Sequence, residues 1–274
     1  TMTESKFQRD PSHRFGRRVR KDGVPTITSM VLFEKKRLDA EAPLPAGPTY
    51  VADADGKKWR FKARLVCRGN EQIPTDYGST YAPTPAKRSF RLIHALAVKR
   101  GWETHSCDVK TAFLHGKLKE EERVRMVLPL GLRGPRGEAL DLMEWDVWNS
   151  IYGLKQAPRV WHFHIADTLR RLGFVPTKSD NCVFILKDGS GRIKLALSLH
   201  VDDLCIGGKR KDVEDFKARL KEVYQLTDEG EAKYHLHIRI RWSEDRSKVT
   251  LSQEDFVHDL LSATGMTDSR GVST

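Results

Sequence analysis

The stretch LSLHVDDLCIGG, residues 197–208, places two adjacent aspartates, Asp202 and Asp203, between two apolar segments. Each segment has the length and composition of a short strand, so the two acids fall where the chain reverses. Turns between buried strands normally use Gly or Asn, because these residues accept a positive φ. Two adjacent carboxylates repel each other, and their placement between apolar strands costs free energy unless a cation binds there. The stretch therefore predicts a strand–turn–strand unit with a cation-binding turn.

A third carboxylate, at the end of another strand-like segment, completes this pattern. Asp108 ends THSCD, residues 104–108, and precedes the semi-apolar VKTAFL. If this segment and residues 195–203 are neighbours in one sheet, the three aspartates converge. Carboxylate oxygens suit Mg²⁺, with substrate phosphates completing its shell, and two such ions would suit in-line phosphoryl transfer. The alternative is an ordinary acidic turn, because a tetrapeptide such as VDDL is weak evidence by itself.

The composition predicts a globular chain with a polyanionic partner. Lys and Arg total 48 and Asp and Glu total 37 among 274 residues, a formal charge of +11. This excess favours nucleic acid as the partner, and the alternative is a basic solvated surface without one. No apolar run approaches the ~18–20 residues of a transmembrane helix, and the polar N-terminus lacks a secretory signal. Four scattered cysteines without a C-x-x-C pair argue against zinc or disulfides and for a reducing compartment.

Hydrophobic periodicity predicts strands and helices after a polar start. Residues 1 to about 25 are basic and AEAPLPAGP, residues 40–48, has linker composition, so ordered structure is expected to begin near Tyr50. Residues 49–69 predict two strands around an Asp-Gly turn, and residues 233–242 predict a strand. The other predicted elements are helices at 89–101, 158–174, 212–224 and 253–264, a strand that bends into a turn at 103–116, and strands at 182–186, 193–199, 204–208 and 248–253.

The third helix, at 212–224, has an apolar stripe that comprises Val213, Phe216, Leu220 and Val223. The middle of the chain therefore reads strand, helix, strand, strand, helix, strand. That order is typical of a split βαβ, ferredoxin-like sheet, which belongs to the α+β class.

Six blocks resemble, in content and in order, the reverse transcriptases of copia-type (Ty1/copia) LTR retrotransposons. They extend over about residues 59 to 265 and read RFKARLVCRG, YAPTPAKRSFRLIHALA, CDVKTAFLHGKLKEE, SIYGLKQAPRVWHFHI, HVDDLCIGG and VTLSQEDFVHDLL. The resemblance implies an α+β right-hand polymerase with fingers, a ferredoxin-like palm and a partial thumb. The implied divisions are a basic N-terminal extension and linker at 1–49, fingers at 50–104 and 119–153, palm at 105–118 and 154–242, and the start of a thumb or connection at 243–274.

The resemblance implies an RNA-directed DNA polymerase that transfers nucleotides from dNTPs to a primer 3′ end by a two-metal mechanism. Asp108, Asp202 and Asp203 match the family's catalytic aspartates, and the backbone carbonyl of Val109 would also reach a metal ion, Mg²⁺ or Mn²⁺. The implied partners are an RNA or DNA template-primer, dNTPs, and other polyprotein parts such as RNase H and integrase or a larger assembly, with no membrane. The implied location is intracellular, in a cytoplasmic particle or the nucleus.

The matching blocks also assign nucleotide-binding residues. Lys62 and Arg64 lie on one face of a predicted strand, and in the family such basic residues clamp the triphosphate; the alternative is an exposed basic strand face. Phe113 matches the position that excludes a 2′-hydroxyl, although core packing is the usual environment of a Phe. Lys155 and Gln156, in the block YGLKQAPRVW, match contacts to the incoming nucleotide.

Three residues are assigned to the template-primer by the same resemblance. Arg159 could reach phosphates at the start of the predicted helix, where anions bind well. His200 stands where the family usually has Tyr, next to the nascent base pair. Tyr234 lies in KYHLHI, residues 233–238, where the family more often reads YLG in the segment that grips the primer end. The two histidines of HLH are expected on one strand face, but zinc is disfavoured because no Cys or carboxylate has zinc-like spacing.

Two other functions remain open on the sequence alone. A catalytically silent reverse-transcriptase-like domain could serve as a nucleic-acid-binding or structural subunit of a larger assembly, although intact buried acids without a use would cost stability. A two-metal nuclease would use the same carboxylates, but it leaves the YGLKQAPR and KARLV blocks without a role.

Overall fold

The computed structural model describes residues 2–4, 18–19, 23–37, 50–52, 58–140 and 143–270. The chain divides into two compact units, of which the first comprises Thr1–Ala82 and Phe113–His164 and the second comprises Pro83–Ala112 and Ile165–Thr274. Within the described ranges, no helix is both long enough and apolar enough to cross a membrane.

The described residues form sixteen strands and four α-helices. In chain order the strands are β1 (Met2–Glu4), β2 (Arg18–Val19), β3 (Pro25–Arg37), β4 (Tyr50–Ala52), β5 (Lys58–Cys67), β6 (Glu103–Val109), β7 (Val124–Val127), β8 (Glu144–Val147), β9 (Val175–Pro176), β10 (Val183–Lys187), β11 (Ile193–His200), β12 (Asp203–Gly208), β13 (Leu226–Glu231), β14 (Tyr234–His235), β15 (Ile238–Trp242) and β16 (Val249–Ser252). The helices are α1 (Lys87–Arg100), α2 (Ala157–Arg171), α3 (Arg210–Lys221) and α4 (Glu254–Ala263).

The first unit is built on a seven-stranded sheet. Its strand order is β1-β8-β7-β3-β5-β4, with β2 beside β3. β3 and β7 run parallel, and the other paired strands of this sheet run antiparallel. One apolar cluster packs here, with side chains from the strands and from the segment that leads into α2: Ile27, Cys67, Val124, Met126, Leu128, Val147, Ile151, Leu154 and Ala157.

The expectation that ordered structure begins near Tyr50 is wrong, because β3 is an interior strand of this sheet. Residues 29–37 pair with β5 in one unbroken register, and residues 26–28 pair with β7. Ile27 is fully buried. The polar flanks concealed this strand, whose burial comes from partners that are distant in sequence. The predicted pairing of β4 with β5 is confirmed, whereas the predicted linker at 40–48 and the Asp-Gly turn lie outside the described residues.

The second unit contains a six-stranded antiparallel sheet of order β13-β6-β12-β11-β10-β9. In chain order β6, α2, β11, β12, α3 and β13 follow the strand and helix order of a split βαβ unit, with β10 preceding β11. The four predicted helices are present with small shifts at their ends. The sheet order makes β6 a direct neighbour of β12, which begins at Asp203, and puts β11 one strand further away. The expectation that residues 104–108 lie beside residues 195–203 therefore holds only at Asp203.

Helix α1 packs on this sheet through an apolar stripe. Phe90 is buried with Cys205 of β12, while Ile93 and Ala97 are buried with Ala196 of β11. The helix ends at Gly101, whose left-handed φ of 61° suits a residue without a side chain.

Helix α3 ends earlier than the apolar pattern predicts. The first three apolar residues of the predicted stripe are buried, but the helix ends before Val223, which is 48% exposed. Tyr224 is buried instead, and its hydroxyl lies 2.8 Å from the hydroxyl of Thr168.

The strand predicted at 233–242 is in fact a tight hairpin of β14 and β15. Leu236 and His237 connect the two strands with φ values of 49° and 62°, and a two-residue loop with two positive φ values matches the hairpin twist. The chain therefore reverses between the two histidines, so that His235 is buried and His237 is exposed. The expectation that both share one strand face is wrong for this reason.

Replacing Asp180 with Ala should destabilise the second unit by about 1–2 kcal/mol, which urea denaturation would measure. Helix α1 has no capping side chain in its own sequence, and the Asp180 carboxylate accepts hydrogen bonds from the Ala86 backbone N–H (3.0 Å) and the Ser89 hydroxyl (2.6 Å). Asp167→Ala is the matched control, because this exposed acid makes only a surface ion pair. Equal stability losses for the two variants would contradict the capping role.

Candidate functional site

The β11–β12 hairpin carries the acidic stretch, and its turn is strained. His200 pairs with Asp203, which leaves Val201 and Asp202 as the two loop residues. Val201 has a φ of 56°, a conformation that β-branched residues rarely adopt. Such outliers persist only where the surrounding structure enforces them, and they cluster at functional sites. The turn therefore presents Asp202 at the tip and Asp203 as the first residue of β12.

The register of β12 with β6 brings the third acid to this turn. Asp203 lies directly opposite Asp108 in the antiparallel pair. The Val109 N–H donates a 2.9 Å hydrogen bond to the carbonyl of Asp202, which ties the turn to the end of β6. Directly opposite residues point to the same face, so Asp108, Asp203 and His200 form one row across three strands. The backbone register therefore sets Asp108 opposite Asp203, with Asp202 next to Asp203 in the turn.

The clustered acids disturb each other's ionisation. The pKa of Asp203 is raised to about 6, first because burial disfavours its charged form and then because of the negative charges of Asp202, Asp108 and Glu229. Like charges directly opposite in a sheet are destabilising. The cluster therefore carries an excess of negative charge that a cation would relieve.

The donor chemistry of this cluster suits a hard divalent cation, since carboxylate and carbonyl oxygens are the ligands of Mg²⁺. As the side chains are placed, no three His, Cys, Asp or Glu residues of the described ranges are grouped to hold a metal ion. The backbone register brings the acids together, and joint ligation would need their side chains to turn toward one another. Ligation by the Val109 carbonyl stays a prediction.

The other predicted nucleotide-binding residues lie in the first unit. Lys62 and Arg64 alternate on β5, where Lys62 is exposed and Arg64 forms a 2.5 Å ion pair with Glu34 of β3. Phe113 packs partly against the apolar cluster, with its ring 5.1 Å from that of Tyr152 in an edge-on contact. These contacts agree with the packing alternative for Phe113, and its role toward a sugar stays a prediction.

The block at residues 152–161 is anchored by buried polar groups. Gln156 is fully buried, and its side-chain amide contacts the Gln72 side chain at 3.1 Å and the carbonyl of Glu122 at 3.3 Å. Lys155 is partly exposed, and its ammonium donates to the carbonyl of Gln72 at 2.8 Å. Both polar ends of the Gln156 side chain therefore contact buried groups of the first unit, and its contact with a nucleotide stays a prediction.

Arg159 is held inside the first unit by a carboxylate. Its guanidinium Nη2 lies 2.5 and 2.6 Å from the two carboxylate oxygens of Glu122, whose side chain is only 5% exposed. Glu122 also accepts a hydrogen bond from the N–H of Gly78. The charge of Arg159 is therefore balanced locally, and its predicted contact with phosphates would require this ion pair to open.

The residues assigned to the template-primer in the second unit have different exposures. Tyr234 is 42% exposed, and its hydroxyl lies 3.5 Å from Nδ1 of His237. His200 is partly buried, and its Nδ1 has no hydrogen-bond partner. His235 stacks on Phe90, and its pKa is lowered to about 4 by burial and by neighbouring histidines. The contacts of Tyr234 and His200 with nucleic acid stay predictions.

Sequence reasoning missed two residues that organise the first unit's site. Gln72 and Glu122 are both buried and bind three of the predicted residues, Lys155, Gln156 and Arg159. A single Gln in NEQ and one Glu in an acidic run carry no distinguishing pattern, so only the fold reveals them.

Comparisons with known proteins show the family of this chain. The family model for "Reverse transcriptase (RNA-dependent DNA polymerase)" matches residues 42–274. The retrovirus-related Pol polyprotein from transposon TNT 1-94 of Nicotiana tabacum is 34% identical over 224 residues, covering 81% of this chain and 16% of the polyprotein. The Pol polyprotein from transposon RE1 of Arabidopsis thaliana is 32% identical over 225 residues, covering 81% of this chain and 15% of its own length.

A yeast relative extends this similarity. The transposon Ty1-LR2 Gag-Pol polyprotein of Saccharomyces cerevisiae is 26% identical over 214 residues, covering 77% of this chain and 10% of the polyprotein. The chain thus spans a small part of each polyprotein, whereas the family model covers most of the chain, including both acidic segments. This chain belongs to the reverse transcriptase (RNA-dependent DNA polymerase) family, and its relatives are Pol polyproteins of copia-type retrotransposons.

Proposed function

We propose that this chain is the RNA-directed DNA polymerase domain of a copia-type retrotransposon polyprotein, which adds nucleotides from dNTPs to a primer 3′ end. The observation that carries the proposal is the register that sets Asp203 opposite Asp108 beside the turn at Asp202. Three acids at neighbouring strand ends, with one raised pKa, are suited to divalent cations rather than to folding stability.

The proposed roles follow from the charge of each group. Asp108, Asp202 and Asp203, with the carbonyl of Val109, would hold Mg²⁺ or Mn²⁺. The bound ions would supply charge stabilisation for the oxygens that exchange at phosphorus. Three cationic side chains would attract the triphosphate: the exposed Lys62 and the partly exposed Arg64 and Lys155. Phe113 would contact the sugar.

The subdomain assignments are part of the same proposal. The palm would comprise residues 105–118 and 154–242, and the fingers would comprise 50–104 and 119–153. We add β3 to the fingers, because it pairs with β5 and β7. Residues 243–274 would begin a thumb or connection.

The proposed partners are an RNA or DNA template-primer and dNTPs, in keeping with the net charge of +11. RNase H, integrase and further polyprotein parts would complete the assembly, because the relatives are Pol polyproteins of which this chain spans a small share. The proposed location is intracellular, in a cytoplasmic particle or the nucleus.

Primer extension on an RNA template should depend on Asp202. We expect wild type to extend the primer with Mg²⁺ or Mn²⁺ and Asp202→Asn to lose activity on the order of 100-fold or more, because a metal ligand is lost. The matched control is Asp215→Asn, which alters an exposed acid on α3 and should retain activity. Absence of extension by wild type with either metal would contradict the proposal and favour a catalytically silent nucleic-acid-binding or structural subunit.

Asp203→Asn should raise the melting temperature by a few degrees in EDTA at about pH 8. The folded-state pKa of Asp203 is about 6, above its ordinary value near 4, so ionisation of this carboxyl favours unfolding. The destabilisation is complete above pH 6, declines between pH 6 and 4, and vanishes below both values. The melting temperatures of the variant and wild type should therefore converge near pH 4. A variant that is no more stable than wild type at pH 8 would show that the acid cluster is not strained.

A further inference from the structure

The buried amide of Gln72 connects two parts of the first unit's candidate site. Gln72 is 2% exposed and follows β5, the strand of Lys62 and Arg64. Its side-chain oxygen accepts a 2.9 Å hydrogen bond from the backbone N–H of Lys155. Its side-chain nitrogen donates to the side-chain oxygen of Gln156 at 3.1 Å. The oxygen and the nitrogen of one side-chain amide therefore bind two adjacent residues of the 152–161 block.

Close backbone contact makes this connection rigid. The Cys67 N–H at the end of β5 donates a 2.8 Å hydrogen bond to the carbonyl of Tyr152. A Cβ on Gly153 would lie 2.0 Å from the carbonyl oxygen of Cys67, and a Cβ on Gly69 would lie 2.0 Å from the carbonyl oxygen of Gly153. Only glycine fits at both places, so the turn at 152–154 lies directly against the end of β5.

The same cluster orients the Lys155 ammonium. Nζ lies 2.8 Å from the backbone carbonyl of Gln72, 3.4 Å from the hydroxyl of Tyr77 and 5.1 Å from the centre of the Tyr77 ring. These groups are neutral, so they hold the ammonium in place without cancelling its charge. Arg159 differs, because a buried carboxylate of Glu122 balances its charge.

We propose that Gln72 is a positioning residue that, with Gln156, holds the Lys155 ammonium ready to bind the triphosphate of the incoming nucleotide. This inference rests on the proposed polymerase function. In this proposal Gln156 supports the loop, and Lys155 binds the triphosphate. Arg159 then stabilises the first unit through its ion pair with Glu122.

The test is a double-mutant cycle that reads nucleotide binding without chemistry. The full chain is assembled with a template-primer whose 3′ end is dideoxy-terminated, and the Kd for the next complementary dNTP is measured. Gln72→Met removes the side-chain amide that holds the Lys155 backbone N–H and Gln156. It should raise this Kd about tenfold, because the displaced ammonium of Lys155 would contact the triphosphate less well. In a Lys155→Met background the same substitution should raise it no further, because Gln72 acts through Lys155.

Matched variants separate positioning from general loss of structure. Gln253→Met makes the same chemical change at an exposed site and should leave Kd and melting temperature unchanged. Gln72→Glu keeps an acceptor for the Lys155 N–H but adds a carboxylate beside the ammonium, so it should raise Kd at least as much as Gln72→Met. It also provides the test if Gln72→Met does not fold.

The outcomes distinguish a failure of the positioning role of Gln72 from a failure of the proposed polymerase function. If wild type binds dNTP but Gln72→Met and Gln72→Glu bind it within about twofold of wild type, the positioning role is overturned while the proposed function stands. Effects of Gln72→Met and Lys155→Met that multiply in the double variant would overturn it as well, because the two residues would then act independently. If wild type neither binds dNTP nor extends a primer, both the function and the positioning role fail.

Discussion

Electrostatic repulsion among three carboxylates is the constraint on which the second unit's organisation depends. The β6–β12 register holds Asp108 opposite Asp203, and the turn adds Asp202 at the next position. A sheet without a function for these acids would be more stable with neutral residues there. The repulsion and the left-handed backbone of Val201 are both unfavourable. The burial of β11 and β12 against α1 offsets them. Under the proposed function, a divalent cation bound to these acids would offset their repulsion.

In the first unit, some buried polar groups are paired with groups that complement them. One of its buried carboxylates, Glu122, is paired with Arg159, and the buried amides of Gln72 and Gln156 are paired with each other. Polar groups inside a protein must be satisfied to avoid a penalty, and these pairs satisfy one another. The Lys155 ammonium contacts the neutral carbonyl of Gln72 and the side chain of Tyr77. In the proposed positioning role, this network would hold the Lys155 ammonium for the triphosphate of an incoming nucleotide.

The sequence predicted the elements whose signals are local. Apolar periodicity located the helices, and the strand–turn–strand pattern around Asp202 located the hairpin of β11 and β12. It failed where long-range contacts decide the structure. Strand β3 is stabilised by pairing with β5 and β7. The hairpin of β14 and β15 depends on positive φ values at Leu236 and His237, which neither residue type predicts. The burial of Gln156 depends on Gln72, which no spacing rule connects to it.

Mn²⁺ binding to the full chain, followed by electron paramagnetic resonance of the free ion, tests most directly whether the three aspartates form one cation site, as we propose. Oxygen-rich sites of this kind bind Mn²⁺ as well as Mg²⁺. The account predicts that Asp108→Asn, on a different strand from the turn, weakens binding as strongly as Asp202→Asn does. Binding of Mn²⁺ by Asp108→Asn with the affinity of the wild type would contradict it.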